Sequence, residues 1–283
     1  MSEARGRWAF ARRPAGARWA SAGRKAAAVG RIAFRHQLAY KTDFALRGFF
    51  LLFILFVFIQ LWSAAYGGDF EKVISGFTLK QIVWYLVFTE ALTLAAPPVC
   101  SRIEEEVKNG DVAIRLVRPQ SYLNYHFSVF SSEALTRFAV HLAVGSAIAW
   151  PFVGPPDFGY GWFGLLALSA GALTVTFLLL MLVGLCAFWV EETSGLYFVL
   201  QKLQFTIGGM LLPIDLMPEW LQRVCAWLPF QAALYFPARM GVQFDGELLT
   251  RQLAIQAAWI AVLAIAVNRM YRRGVTKLHV NGG

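Results

Sequence analysis

Charged residues are scarce in this sequence. Asp, Glu, Lys and Arg make up 15% of the 283 residues, whereas about a quarter is usual for a soluble domain. Apolar residues make up 58%, and they gather in blocks of about twenty, the length that crosses the hydrocarbon core of a bilayer. The scarcity of charge excludes an ordinary soluble protein and predicts an all-α integral membrane protein.

Residue patterns that carry chemistry are also lacking. Four histidines and three cysteines are scattered without metal-ligand spacing, and the cysteines (Cys100, Cys186 and Cys225) lie in apolar sequence, as small buried side chains do. No Ser/His/Asp or Cys/His arrangement and no G-x-x-x-x-G-K-[ST] phosphate loop is present. We therefore predict that the chain is not an enzyme and binds no nucleotide, cofactor or metal itself.

The net charge of +9 is unevenly distributed. Twenty of the 26 Lys and Arg residues lie in segments 1–47, 101–137, 191–194 and 268–283. Basic residues concentrate on the cytoplasmic side of membrane proteins. This bias predicts a multi-pass protein with both termini in the cytoplasm, and it favours topology signals over contacts with nucleic acid.

The apolar blocks predict about six membrane spans. In chain order they lie at roughly 44–66, 82–100, 138–153, 162–190, 195–212 and 253–267.

Three segments outside the spans have a composition of their own. Residues 1–30, rich in Ala, Arg and Gly, predict a disordered basic cytoplasmic tail, and residues 31–43 predict either an interfacial helix or a solvated linker. Between the last two spans, residues 218–229 have helical spacing of apolar residues between two prolines. They predict a short interfacial or re-entrant helix on the outer face.

The inner loop 101–120 is the most informative segment. A charged helical run ends at the Asn109-Gly110 turn, and Asp111 suits the N-cap of a short second helix. Its residues alone support two interpretations equally: a docking surface for a partner protein, and a solvated loop.

The same loop resembles permeases of ABC-2 type transporters. The residues that carry the pattern are Ile103, Val107, Gly110, Asp111, Val112, Leu116, Arg118 and Pro119. The likeness extends over about 31–283, because 31–43 resembles the elbow helix of that class and 213–230 its short outer helix. It is nearest to a bacterial branch described as ABC-2 family transporter proteins, whose pattern does not require residues 1–30.

This resemblance implies a permease of a bacterial inner-membrane exporter. It implies two ATP-binding-cassette subunits that hydrolyse ATP with Mg²⁺, and a second permease, related rather than identical, so that a heterodimer is favoured over a homodimer. The residues it assigns to ATPase coupling are Arg102, Glu105, Lys108, Gly110, Asp111, Arg115, Arg118 and Pro119.

Polar residues within the spans are candidates for a substrate path. Glu90 lies near the middle of the second span, where a carboxylate is costly. In the fifth span, Tyr197, Gln201 and Gln204 share one helical face beside Lys202. The alternatives are a structural Glu90–Lys202 pair and a Lys202 side chain that snorkels inward.

The expected cargo is hydrophobic or amphiphilic. The aromatic residues and Glu90 favour aromatic or cationic xenobiotics, while lipids, peptides and glycan precursors remain open. The alternative function is a secondary transporter driven by an ion gradient, whose repeated broken helices we do not find in this sequence.

Overall fold

The computed structural model describes residues 41–69, 71–117, 121–156 and 158–281. The predicted tail at 1–30, almost all of the predicted interfacial helix at 31–43, Arg118 and Pro119 lie outside them. In chain order the elements are α1 Lys41–Tyr66, β1 Val73–Ile74, β2 Phe77–Thr78, α2 Leu79–Ala95, α3 Val99–Lys108, α4 Asp111–Leu116, α5 Tyr122–Val153, α6 Gly161–Leu185, α7 Ser194–Ile207, α8 Glu219–Ala226, α9 Phe230–Ala233, α10 Tyr235–Val242 and α11 Gly246–Asn281. Single 3₁₀ turns at Cys186–Phe188 and Ile214–Leu216 follow α6 and precede α8.

The all-α membrane fold is confirmed. Within the described ranges, five helical stretches have the length and apolar composition to cross a membrane: Gly48–Tyr66, Leu79–Lys108, Tyr122–Val153, Gly161–Phe188 and Gly246–Lys277. The fifth predicted span forms the 14-residue helix α7. At 1.5 Å per residue it is about 21 Å long, shorter than a hydrocarbon core of about 30 Å.

Two helix boundaries differ from the sequence prediction for identifiable reasons. The third span begins at Tyr122 rather than near residue 138, because the charged residues in its first half are paired within the protein, as described below. The second span breaks after Ala95, where Pro97 and Pro98 interrupt the helix before α3 starts.

Helix α2 lies at the centre of the molecule. Thirteen of its 17 residues are buried, and it packs against α1, α5 and α10. Small residues allow neighbouring helices to approach closely. A Cβ at Gly145 would lie 3.0 Å from the Val87 side chain, and one at Gly171 would overlap the Gln256 amide. That buried amide donates to the carbonyl oxygens of Leu168 and Ala232, at 3.1 and 2.9 Å.

Contacts between loops define two ends of the helix bundle. We call the end that carries α3 and α4 the coupling end. At the opposite end, β1 and β2 form an antiparallel hairpin, the Trp84 indole N–H donates to the Gly154 carbonyl oxygen at 3.3 Å, and the Tyr235 hydroxyl donates to Asp215 at 2.8 Å. The short helix predicted at 218–229 is α8, Glu219–Ala226. Trp220 and Trp227, which lie at its start and just after its end, are 63% and 83% exposed, as suits residues at a membrane interface.

Candidate coupling segment and substrate cavity

Helices α3 and α4 turn back on each other at Gly110. They contain the described part of the inner loop 101–120, for which the sequence predicts contact with an ATPase, and we call Val99–Val117 the coupling segment. The backbone of Gly110 has φ +75°, in the left-handed region that glycine adopts without strain. Gly110 is the N-cap and Asp111 the first residue of α4, so the prediction of Asp111 as N-cap was wrong by one position. Ile103 and Val112 are fully buried and anchor the two helices to the bundle.

A two-pronged ion pair ties α3 to α5. Arg102 Nη1 and Nη2 donate to Glu133 Oε1 and Oε2 at 3.0 and 2.9 Å. Arg137 Nη2 lies 3.7 Å from the same carboxylate. Two parallel charge-assisted hydrogen bonds fix orientation as well as distance. The ion pair therefore attaches α3 firmly to α5.

Glu106 joins three helices. Its carboxylate accepts a hydrogen bond from the Tyr122 hydroxyl at 2.9 Å, lies 3.1 Å from His126 Nε2, and pairs with Arg115 Nη2 at 2.7 Å. Tyr122 and His126 are on α5, one turn apart, and Arg115 is on α4. The coupling segment and the start of α5 are thus held together through one partly buried acidic group.

Arg115 faces inward from α4. Its guanidinium lies 4.4 Å from the centre of the Tyr125 ring, within the range of a cation–π contact. Burial acts to lower the pKa of Arg115, but a hydrogen bond with Tyr125 and the charge of Glu106 outweigh burial and raise it. Arg115 therefore ties α4 to Glu106 and Tyr125 inside the segment.

Glu104 connects α3 to the loop that leads into α7. Its carboxylate accepts from the backbone N–H of Thr193 at 3.0 Å and also from the Thr193 hydroxyl. Lys108 donates to Glu104 from one turn further along the helix. The Thr193 hydroxyl oxygen also lies 3.2 Å from Cys100 Sγ. The coupling segment therefore contacts the starts of both α5 and α7.

The other side of the coupling segment is exposed. We call this side the docking face. It includes four of the predicted coupling residues, namely Glu105, Lys108, Gly110 and Asp111. It also presents two apolar side chains that the sequence analysis did not single out, Ile114 and Val117, which are 61% and 87% exposed. Of the predicted coupling residues in the described ranges, only Arg102 and Arg115 turn into the bundle.

Glu106, Glu133, His126 and Thr193 were missed at the sequence level. Each of them has a partner that lies between 16 and 89 positions away, and no local pattern reveals such a contact. One signal was available: Tyr122 and His126 are spaced i, i+4 directly after the loop, and such residues share a helical face.

A cavity of about 340 Å³ lies between α2, α6 and α7. It is lined by Leu92, Thr93, Leu94, Ala96, Thr176, Leu180, Tyr197, Gln201, Lys202, Gln204, Phe205, Met210 and Leu234. Four of the five residues predicted for a substrate path are in this set. The Gln201 amide donates to the Tyr197 hydroxyl at 2.9 Å, as the i, i+4 spacing anticipates.

Glu90 is placed differently. It is 2% exposed and is not among the residues that line the cavity, because its side of α2 is covered by neighbouring helices. Glu90 and Lys202, both within the described ranges, form no ion pair with each other. The Lys202 ammonium instead lies 5.1 Å from the centre of the Phe198 ring and 5.7 Å from that of Phe205.

Comparison with known proteins gives a family. A family model described as ABC-2 family transporter protein matches residues 49–282. No curated protein matches the chain. The matched region includes the coupling segment, the cavity and every long helix, and it begins after the predicted elbow at 31–43. The chain therefore belongs to the ABC-2 family transporter proteins, and it is a multi-pass membrane permease of the ABC type.

Proposed function

We propose that this protein is the membrane subunit of an ATP-driven exporter in a bacterial inner membrane, with both termini in the cytoplasm. Separate ATP-binding-cassette subunits bind ATP and Mg²⁺ and dock on the coupling segment. A second permease, related to this one, completes the translocation unit as a heterodimer. The cargo is a hydrophobic or amphiphilic compound that leaves the cytoplasm.

The observation that carries this proposal is the two-sided construction of the coupling segment. One side is joined to α5 by Arg102–Glu133 and through Glu106, and it is joined to the start of α7 through Glu104. The docking face leaves Ile114 and Val117 exposed. Exposed apolar side chains beside charged ones suit a protein partner. A solvated loop would need neither the exposed apolar residues nor the inward ion pairs.

These contacts support a two-state mechanism. Closure of the ATPase dimer on ATP would displace the coupling segment. The ion pairs would pass that displacement to α5, and the Glu104–Thr193 hydrogen bonds would pass it to α7. Because α7 lines the cavity, its displacement changes access to the cavity. The ATPase subunits shift the equilibrium between inward- and outward-facing states by binding one of them more tightly.

The cavity supports an amphiphilic cargo. Its wall combines apolar side chains from α2 and α6 with the hydroxyl and amide groups of Tyr197, Gln201 and Gln204. Ligand sites typically pair a mainly apolar wall with a few polar groups that fix orientation. An aromatic or other xenobiotic compound fits this description; the preference for a cationic one depended on Glu90, which does not line the cavity.

Purification from the native host tests the proposal. The full-length chain, extracted in mild detergent, should carry with it an ATP-binding-cassette protein and a related permease, identified by mass spectrometry. Inside-out vesicles that contain this complex should accumulate cargo only when ATP is supplied. Recovery of the chain alone, with transport that survives ATP depletion but not collapse of the proton gradient, would establish a secondary transporter instead.

A further inference from the structure

We propose that the cavity selects amphiphiles with an anionic head group, and that Lys202 is the residue that recognises the charge. This inference rests on the proposed function, because it names the class of cargo for the same cavity. It reverses the preference for cations that Glu90 suggested at the sequence level.

The first argument is the charge of the cavity wall. Among the 13 residues that line it, Lys202 carries the sole charge. Its ammonium has no carboxylate within ion-pair distance in the described parts of the chain. Coulomb interactions are strengthened in a low-dielectric membrane interior. A cationic ligand would therefore be repelled there, and an anionic one attracted.

The second argument is the position of the ammonium. Phe198 and Phe205 lie one turn before and one turn after Lys202 on α7, and their ring centres are 5.1 and 5.7 Å from Nζ. Aromatic faces attract a cation and hold it in place without supplying an opposite full charge. Lys202 is exposed, and its ammonium lies beside these rings at the cavity wall with its charge left for a ligand to balance.

The third argument is the arrangement of polar and apolar groups. Gln201 and Gln204 flank Lys202 and carry amide N–H groups, which are suitable donors to a carboxylate, sulfonate or phosphate oxygen. The facing wall consists of three leucines and two threonines from α2 and α6, with Ala96, Met210 and Leu234. A volume of about 340 Å³ is at the lower end of the range for ligand sites, about 300–1,000 Å³. It holds a head group and the first part of an apolar chain.

Three matched probes test this inference. They are dansyl-labelled undecanoic acid, its neutral methyl ester, and the corresponding dansyl-labelled undecylamine. The full complex is placed in lipid nanodiscs, and the saturable change in dansyl fluorescence is measured after subtraction of the signal from empty nanodiscs. We expect the acid to bind about tenfold more tightly than the ester, the gain of one charge-assisted hydrogen bond, and the amine to bind most weakly.

Variants assign this preference to a residue. Lys202→Gln should reduce binding of the acid to the level of the ester, whereas Lys202→Arg should keep the preference. The matched control is Lys72→Gln, which removes an exposed lysine from the loop before β1 and should leave all three affinities unchanged. If Lys202 only snorkels towards head groups, Lys202→Gln will leave the ratio of acid to ester binding as it is in the wild type, and the inference is wrong.

The wild-type order of binding is informative even if a variant fails to fold. Equal binding of the three probes, or tighter binding of the amine, overturns the inference without any variant. Uptake into inside-out vesicles separates it from the proposed function. Preferential binding of the acid without ATP-dependent movement would refute the exporter and support the site, while ATP-dependent movement that favours the amine would do the reverse.

Discussion

Arg102 and Glu133 form a bidentate ion pair across 31 positions of the chain, with both nitrogen–oxygen distances within 3.0 Å. Arg102 is in the coupling segment and Glu133 is in the third span. This pair and the Glu106 cluster attach a surface helix to a membrane helix, and the first two predictions test that attachment.

Glu133→Gln should destabilise the protein. The amide cannot replace two charge-assisted hydrogen bonds, and the substitution removes a counter-charge that Arg102 and Arg137 share. We expect the free energy of unfolding to fall by about 1–3 kcal/mol, measured as a lower unfolding temperature of the complex in nanodiscs. The control is Glu219→Gln, whose partner Arg223 is 3.9 Å away with both side chains largely exposed. Such surface pairs contribute little, so an equal shift in both variants would contradict the prediction.

Glu106→Gln should separate ATP hydrolysis from transport. The neutral amide weakens the contacts that Glu106 makes with Arg115, Tyr122 and His126. We expect fewer cargo molecules moved per ATP hydrolysed, with ATPase activity retained. Glu105→Gln is the matched control, because it makes the same chemical change at the adjacent exposed position and should not lower the unfolding temperature. Equal unfolding temperatures for the two variants would show that Glu106 has no structural role.

Gly110→Ala should strain the turn between α3 and α4. An alanine at φ +75° costs about 1 kcal/mol, although a Cβ there would meet no neighbouring atom. We expect membrane insertion to be unchanged and coupling to be weaker. The control is Gly195→Ala in α7, where a Cβ is also unobstructed and the backbone is helical.

A double substitution of Gly110 and Asp111 should uncouple ATP hydrolysis from transport, and normal transport in that variant would count against the assigned role.

Ile114→Ser should weaken the attachment of the ATPase subunit. Ile114 is 61% exposed on the docking face, so its replacement should not affect folding. A buried aliphatic side chain contributes about 1.5–3 kcal/mol at an interface, and we expect clearly less ATPase protein to co-purify. Val73→Ser, which changes a 58% exposed residue at the opposite end, should leave co-purification unchanged. Similar losses in both variants would place the ATPase contact elsewhere.

Local patterns accounted for part of the site. The spacing of Tyr197, Gln201 and Gln204 predicted that they share one helical face, and all three line the cavity. The prolines at 97–98 and the glycine at 110 mark real interruptions of the helices. These features follow from backbone geometry within a few residues, which is why they are legible in a sequence.

Charged residues were harder to place. A run such as 101–108 shows which residues are charged. Whether each side chain points into the bundle or to solvent depends on partners far along the chain. Arg102 turns inward because Glu133 is there, while Glu105, three positions later, faces solvent. The third span was predicted too short for the same reason, since Glu133 and Arg137 resemble loop residues until their partners are known.

Two conclusions needed no coordinates: apolar blocks near the thickness of a bilayer demand a membrane, and the loop pattern around Gly110 indicated an ABC-2 permease. Which charges are paired and which face the cavity depends on how the helices pack. It buried Glu90 among the helices and left Lys202 at the cavity wall. The reason is physical, because the energy of a charge depends on every group within several ångströms of it, and those groups come from separate helices.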